Sequence, residues 1–281
     1  MYIHPFFAPP ISFDETFQHP WVTKVPPIHI CGRVYYVGNL NVASHLIDTG
    51  EGLLLIDTPF IQQMPLLIDS IYRLGFRVDD IRWILHTHGH LDHWGCSSYL
   101  KGICGCETYM SRVDGEMLLN HPVVGGIQDS TVCRGEVQQM EVLFDEGELD
   151  FGGLKVKCVA TPGHTDGVMS FFFDTEEDGK MYRVGTYGGT GFNTLTNQEM
   201  ERLQRPASAR QDYMDSLEKV QDMRVDVTLG NHPNQNATFE KYEKKLKNPD
   251  GPNPYIDPNE WGRYINTLKK LYAEFLEDIP E

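Results

Sequence analysis

Short apolar blocks punctuated by Gly, Pro and Asn run along the chain, and their period switches between two and about 3.6. Residues 33–37 are β-branched and aromatic, Gly38 and Asn39 break them, and 43–48 resume the pattern. A turn at 49–52 leads into Leu53-Leu54-Leu55-Ile56-Asp57, which predicts a hairpin with a buried second strand. Leu67, Ile71 and Leu74 then form one apolar stripe; with Pro65 in the first turn and Gly75 at the end, they predict a helix over 64–74. Trp83-Ile84-Leu85 reads as a buried strand. Beyond His93 the pattern predicts a short helix reaching Tyr99, a strand at 107–110 and a helix around 117–119. Strands are expected at 141–144, 148–151, 154–160, 168–174, 181–185 and 225–229, and helices at 208–223 and 239–246. A last helix ends near Leu276, with Asp257 and Glu260 as its expected capping box.

Strands and helices arrive in mixed blocks rather than strict alternation, and no tandem repeat is visible. This favours an α+β fold of two packed sheets with helices outside. Residues 1–26, rich in Pro and aromatics, are expected to lie as an irregular arm over a single domain at 27–281, as plain packing or as a lid. Residues 121–139 lack periodicity and read as a loop bordering a site.

The chain of 281 residues is 40% hydrophobic, enough for a sizeable core. Lys plus Arg is 24 against Asp plus Glu 40, a formal charge of −16, which repels phosphate backbones and argues against a nucleic-acid partner. No window approaches a membrane span, and the first residues carry no basic and apolar leader pattern. The expectation is a cytoplasmic protein as the sequence stands, periplasmic or secreted where a leader has been removed. The six cysteines are scattered and read as reduced thiols, Cys104 and Cys106 included, which have no second pair at zinc-finger spacing.

The candidate chemistry lies at strand ends. His88, His90, Asp92 and His93 follow the strand at 83–85, in the frame His-x-His-x-Asp-His that His86 cannot start. Neutral imidazole and carboxylate are the donors zinc takes when thiolate is absent. His88 and His90 project to one side of extended chain, whereas the adjacent Asp92 and His93 diverge toward a second ion. His164, in Thr161-Pro162-Gly163-His164, and His232, in Gly230-Asn231-His232-Pro233, follow two further strands. If the loops converge, His88, His90 and His164 hold one zinc, and Asp92, His93 and His232 hold a second. Three protein ligands per ion leave open positions, the mark of a catalytic zinc, and a hydroxide bridging the ions becomes a nucleophile near neutral pH. Asp92 is the expected catalytic residue, orienting the hydroxide and relaying a proton. Asp57, at the end of a buried strand, is placed to brace a ligand. His45, among apolar neighbours, reads as a core or edge histidine. The glycine-rich run 187–191 lacks the lysine and the strand-loop-helix context of a phosphate loop.

The stretch from Ile84 to Gly95 resembles the signature of the metallo-β-lactamase fold superfamily. From about Ile30 to the C-terminal helix, the chain is similar to the third subclass of class B β-lactamases, whose second zinc uses Asp, His and His. Arg33-Val34-Tyr35-Tyr36-Val37-Gly38 and Asn253-Pro254-Tyr255-Ile256-Asp257-Pro258, with Trp261 and Tyr264, look like signatures of that group. The resemblance implies a four-layer αββα sandwich with two zinc ions at one edge, acting on the β-lactam amide of penicillins, cephalosporins and carbapenems. Other branches place a bridging Asp, and the first two subclasses a Cys, where this chain has Gly185-Thr186-Tyr187-Gly188-Gly189-Thr190-Gly191. The alternatives are a hydrolase of lactones, thioesters or phosphodiesters on the same site, or a two-iron redox module, which would need extra carboxylates where glycine stands. The expected partner is a small-molecule substrate.

Overall fold

The computed structural model describes residues 3–121 and 140–280. Two mixed sheets face each other. The first runs in the order β1 (Ile28–Cys31), β2 (Val34–Tyr36), β3 (His45–Asp48), β4 (Leu53–Ile56), β5 (Ile81–Leu85), β6 (Glu107–Ser111) and β7 (Val142–Phe144), with the last four parallel. The second has β8 (Gly147–Phe151), β9 (Leu154–Ala160), β10 (Met169–Glu177), β11 (Lys180–Thr186) and β12 (Val227–Leu229) side by side, with β12 parallel to β11.

Side-chain alternation explains why these strands are apolar on both faces. In β4, Leu54 and Ile56 turn inward to the core between the sheets, while Leu53 and Leu55 turn outward. The outward pair packs with Leu67 and Ile71 of the helix Met64–Arg73 and with Leu100 of the helix Ser97–Cys104. In β10, Phe171 and Phe173 enter the central core and Phe172 faces the other way. There it meets Leu217 of the helix Ala209–Val220 and Trp261 of the helix Glu260–Glu277, its ring edge-to-face with Trp261 at 5.4 Å. The result is helix, sheet, sheet, helix: the expected αββα sandwich.

Three local expectations need correction. The single helix expected to reach Tyr99 is two, Leu91–Trp94 and Ser97–Cys104. The break serves the site: the Thr58 amide donates to His93 O (2.8 Å), and Gly95 lies so close to Pro59 and Phe60 that a Cβ there would stand 3.0 Å from Phe60 Cα. The expected capping box of the last helix is absent, since its N-cap is Asn259 without a side-chain bond. Glu260 instead pairs with the nearly buried Lys241 (2.6 Å), while Asp257 accepts from Arg263 (2.6 Å) and from the Asn259 amide (3.0 Å), outside the expected box. The arm is less irregular than expected, with helical turns at Pro5–Phe7, Phe13–Gln18 and Pro20–Thr23. Of the loop expected at 121–139, all but His121, an exposed residue at the end of the helix Arg112–Asn120, lies outside the described residues.

Phe171 is fully buried where the two sheets meet. Phe171→Ala is expected to cost about 3–5 kcal/mol in urea unfolding. A loss below about 1 kcal/mol would mean that the inter-sheet core is not packed as described.

Candidate metal centre

The candidate ligands all leave strands at their carboxyl ends: β5 leads to His88, His90, Asp92 and His93, β9 to His164, and β12 to His232. Packing the sheets face to face brings the three loops to one edge, the usual place for a site in open α/β sheets. The structure brings together all six residues expected from sequence. His88, His90 and His164 form one group and Asp92, His93 and His232 another, with donor atoms within 4.8 Å in each. The groups adjoin, since the His88 and His93 rings lie 4.2 Å apart. Among the described residues no other such group occurs, and neither Cys104 nor Cys106 belongs to one.

Four of the five rings are held through Nδ1. His232 Nδ1 donates to the carbonyl of Asn41 (2.7 Å), and His164 Nδ1 to that of Gly191. A carbonyl only accepts, so both rings carry the Nδ1 proton and keep an Nε2 lone pair. His93 Nδ1 donates to Asp57 Oδ2 (2.8 Å). The Thr87 hydroxyl donates to the same Asp57 oxygen (2.7 Å), so it accepts from His88 Nδ1 (2.9 Å). That leaves His88 Nε2 buried with no hydrogen-bond partner among the described residues. An orphaned buried lone pair is costly and calls for an acceptor of electron pairs. His90 Nδ1 and His164 Nε2 converge at 2.8 Å, and His93 Nε2 and His232 Nε2 lie 3.5 and 3.9 Å from Asp92 Oδ2. This donor set fits two metal ions.

The electrostatics agree. Burial, reinforced by neighbouring imidazoles, holds His88 well below the usual histidine range, and burial lowers His90 to about 4. His164 and His232 are also lowered, chiefly by burial. These rings are therefore neutral and ready to ligate at neutral pH. His93 goes the other way: burial opposes its charge, but Asp92 and Asp57 hold its pKa above the usual value. Asp92 is lowered, because His93, His232 and His90 outweigh burial.

Asp57, anticipated as a brace, has a left-handed backbone (φ 60°) that is strained for a non-glycine residue. Its carboxylate takes the Thr87 amide (2.8 Å) as well as Thr87 Oγ1 and His93. His45 is buried in β3 and His86 is held between Tyr109 O (2.6 Å) and Ser97 Oγ (2.7 Å), so neither joins the site.

Sequence reasoning missed several supports. Asp114, buried on the helix Arg112–Asn120, accepts from Gly89 N (2.6 Å), Thr165 Oγ1 (2.6 Å) and Gly167 N (2.9 Å), stitching the first loop to the second. Its burial lifts the carboxyl to about 6, against the pull of those donors. Arg205 closes over the His164 loop, donating to Gly163 O (2.7 Å), His164 O (3.1 Å) and Asp166 (2.8 Å). No local motif marks either residue. The glycine-rich run has a packing role: a Cβ at Gly189 would stand 2.7 Å from His164 Cδ2.

Asp57→Ala frees His93 and Thr87 together. Metal affinity is expected to fall roughly 10–100-fold, read by chelator competition. Unchanged affinity would contradict the bracing role.

Comparison with known proteins agrees with this architecture. The family description "Metallo-beta-lactamase superfamily" matches residues 37–232, more than half of the chain. Among solved structures, the subclass B3 metallo-β-lactamase of Bradyrhizobium japonicum superposes with a TM-score of 0.77 at 26% identity, over 92% of this chain and 97% of that one. Native FEZ-1 metallo-β-lactamase from Legionella gormanii gives 0.76 at 25%, over 91% and 97%. A probable metallo-hydrolase of Burkholderia pseudomallei is 32% identical over 114 residues, 37% of this chain and 34% of its own length. An uncharacterised Mycobacterium leprae protein is 30% identical over 123 residues, 38% of this chain and 56% of its own. The alignments with these two curated relatives thus span only about a third to a little over half of those proteins. No helix among the described residues is long and apolar enough to cross a membrane. With the matched span running from the end of the first hairpin to the last candidate ligand, the chain belongs to the metallo-β-lactamase superfamily.

Proposed function

We propose that this chain is a two-zinc hydrolase of small molecules and that its substrate carbonyl is a β-lactam amide. The observation that carries the reading is the pair of three-donor groups side by side in the wall of one pocket. Five imidazole nitrogens and one carboxylate, with no thiolate, suit zinc, and three donors per ion leave positions for substrate. Zinc in these groups supplies Lewis acidity and a water acidic enough to attack a carbonyl at neutral pH. The chain's own residues do the rest. His88, His90 and His164 present neutral nitrogens, His88 and His164 from rings fixed through Nδ1. Asp92, whose carboxyl stays ionised, orients the attacking water and takes its proton. As the water oxygen bonds to the carbonyl carbon and the C–N bond breaks, that proton passes to the leaving nitrogen. Likeness to subclass B3 structures at 25–26% identity supports the β-lactam assignment.

One observation favours a second reading, an ester, lactone or thioester substrate. Histidines aside, the one cation among the described residues lining the pocket is Arg202, and it is spent on Glu199 (2.5 and 2.9 Å). A β-lactam carboxylate would have to compete with that pair. A curated relative named glyoxylase B2, from Dictyostelium discoideum, is 29% identical over 96 residues, 34% of this chain and 32% of its own length.

Protein shown to hold two zinc ions is expected to open the ring of a penicillin and a carbapenem, followed by absorbance. No turnover of either, with hydrolysis of a lactone or thioester, would replace the first reading by the second. Asp92→Ala is expected to lower turnover by roughly 10²–10⁴-fold and to weaken the second metal position. An unchanged rate would contradict the assigned role.

A further inference from the structure

We propose that the N-terminal arm forms an apolar acyl subsite, so that the non-reacting part of the substrate is an aryl or branched-alkyl group. This inference rests on the hydrolytic reading. The cavity that holds the six candidate ligands, about 340 Å³, lies within the usual range for small-molecule sites. Its outer wall is the arm itself: Phe7, Pro9, Phe13 and Phe17 line it, with Phe60 behind them. Leu91, next to Asp92, and Leu203 line the same cavity.

The aromatic rings form a built surface. Phe13 and Phe17 stack at 6.4 Å, and both meet Phe60 edge-to-face, at 5.7 and 4.9 Å. Yet Phe17 remains 41% exposed and Ile3 38%. Apolar surface held open to water at the mouth of a reactive centre is surface that a matching group gains by covering.

The arm is also fastened. The Asn41 side chain takes the Ile11 amide (3.1 Å) and donates to Ile11 O (2.8 Å) and to Thr16 Oγ1 (2.9 Å). Asn234 donates to Phe6 O and Ala8 O (3.2 and 3.3 Å), and Phe7 packs edge-to-face on the buried Phe192 at 5.1 Å. The Asn41 carbonyl is the one that holds the His232 ring. One residue thus positions both the apolar wall and a candidate metal ligand. A wall fixed in advance binds without the cost of ordering a loose tail.

Titrating the full chain with the neutral fluorophore N-phenyl-1-naphthylamine, with and without zinc, tests the subsite independently of turnover. The wild type is expected to bind with enhanced emission. Phe13→Ala combined with Phe17→Ala should weaken binding about ten-fold or more, because two ring faces are lost. Trp21→Ala, an exposed aromatic of the same arm outside the cavity lining, should leave it unchanged. No binding by the wild type, or equal binding by the double variant, overturns the proposal. With zinc-loaded protein, p-nitrophenyl phenylacetate should exceed p-nitrophenyl acetate in kcat/KM by about ten-fold. The ratio should collapse in the double variant, and a wild-type ratio near one overturns the proposal. Turnover of neither ester nor of any β-lactam, with fluorophore binding intact, would sink the hydrolytic reading and leave the apolar subsite standing.

Discussion

A buried imidazole can serve a metal ion only if it is neutral and its lone pair faces the ion. That requirement organises this molecule. Each of four rings spends one nitrogen on a fixed partner: Asn41 O, Gly191 O, Asp57 Oδ2 or Thr87 Oγ1. The other nitrogen is thereby committed to face inward. The partners come from four different segments, so the site is correctly protonated only when both sheets are in place. Burial adds the second half of the condition by penalising the charged forms of His88, His90, His164 and His232.

The cost is carried by the scaffold. Asp57 accepts a left-handed backbone to reach Thr87 and His93, and its amide donates to Leu85 O, tying β4 to β5 beside the run of candidate ligands. Asp114 is held buried with its carboxyl shifted upward, in exchange for three hydrogen bonds that lock two ligand loops together. The Met169 amide crosses from the second sheet to Thr87 O (2.8 Å). These contacts cluster at one edge of the sandwich, while Phe171, Phe173, Leu54 and Ile56 hold the sheets together behind them. The apolar core sets the distance between sheets, and the polar contacts set the orientation of the rings.

On the proposed reading, reactivity and recognition divide along the same line. The strand-end loops present the donors, whereas the arm before β1 supplies most of the apolar outer wall of the cavity. Asn41 joins the two parts through its side chain on one and its carbonyl on the other. An arm with different aromatics would change what the same centre accepts, without moving a donor.

What the sequence determined by itself was local. Strand alternation placed most of the elements, because a residue facing a covered side must be apolar whatever lies across from it. The run from His88 to His93 was legible because four donors share six residues. His164 and His232 became legible through the strand ends that carry them, and Asp57 through its place at the end of β4. Only the tertiary structure decided what depends on groups distant along the chain. Asp114, Arg205 and Asn41 have no local signature, since each acts on a loop 25 to more than 190 residues away. The partners at the start of the last helix were hidden for the same reason: Glu260 pairs with Lys241, and Asp257 takes Arg263 beside the Asn259 amide, and sequence spacing does not reveal which donor arrives.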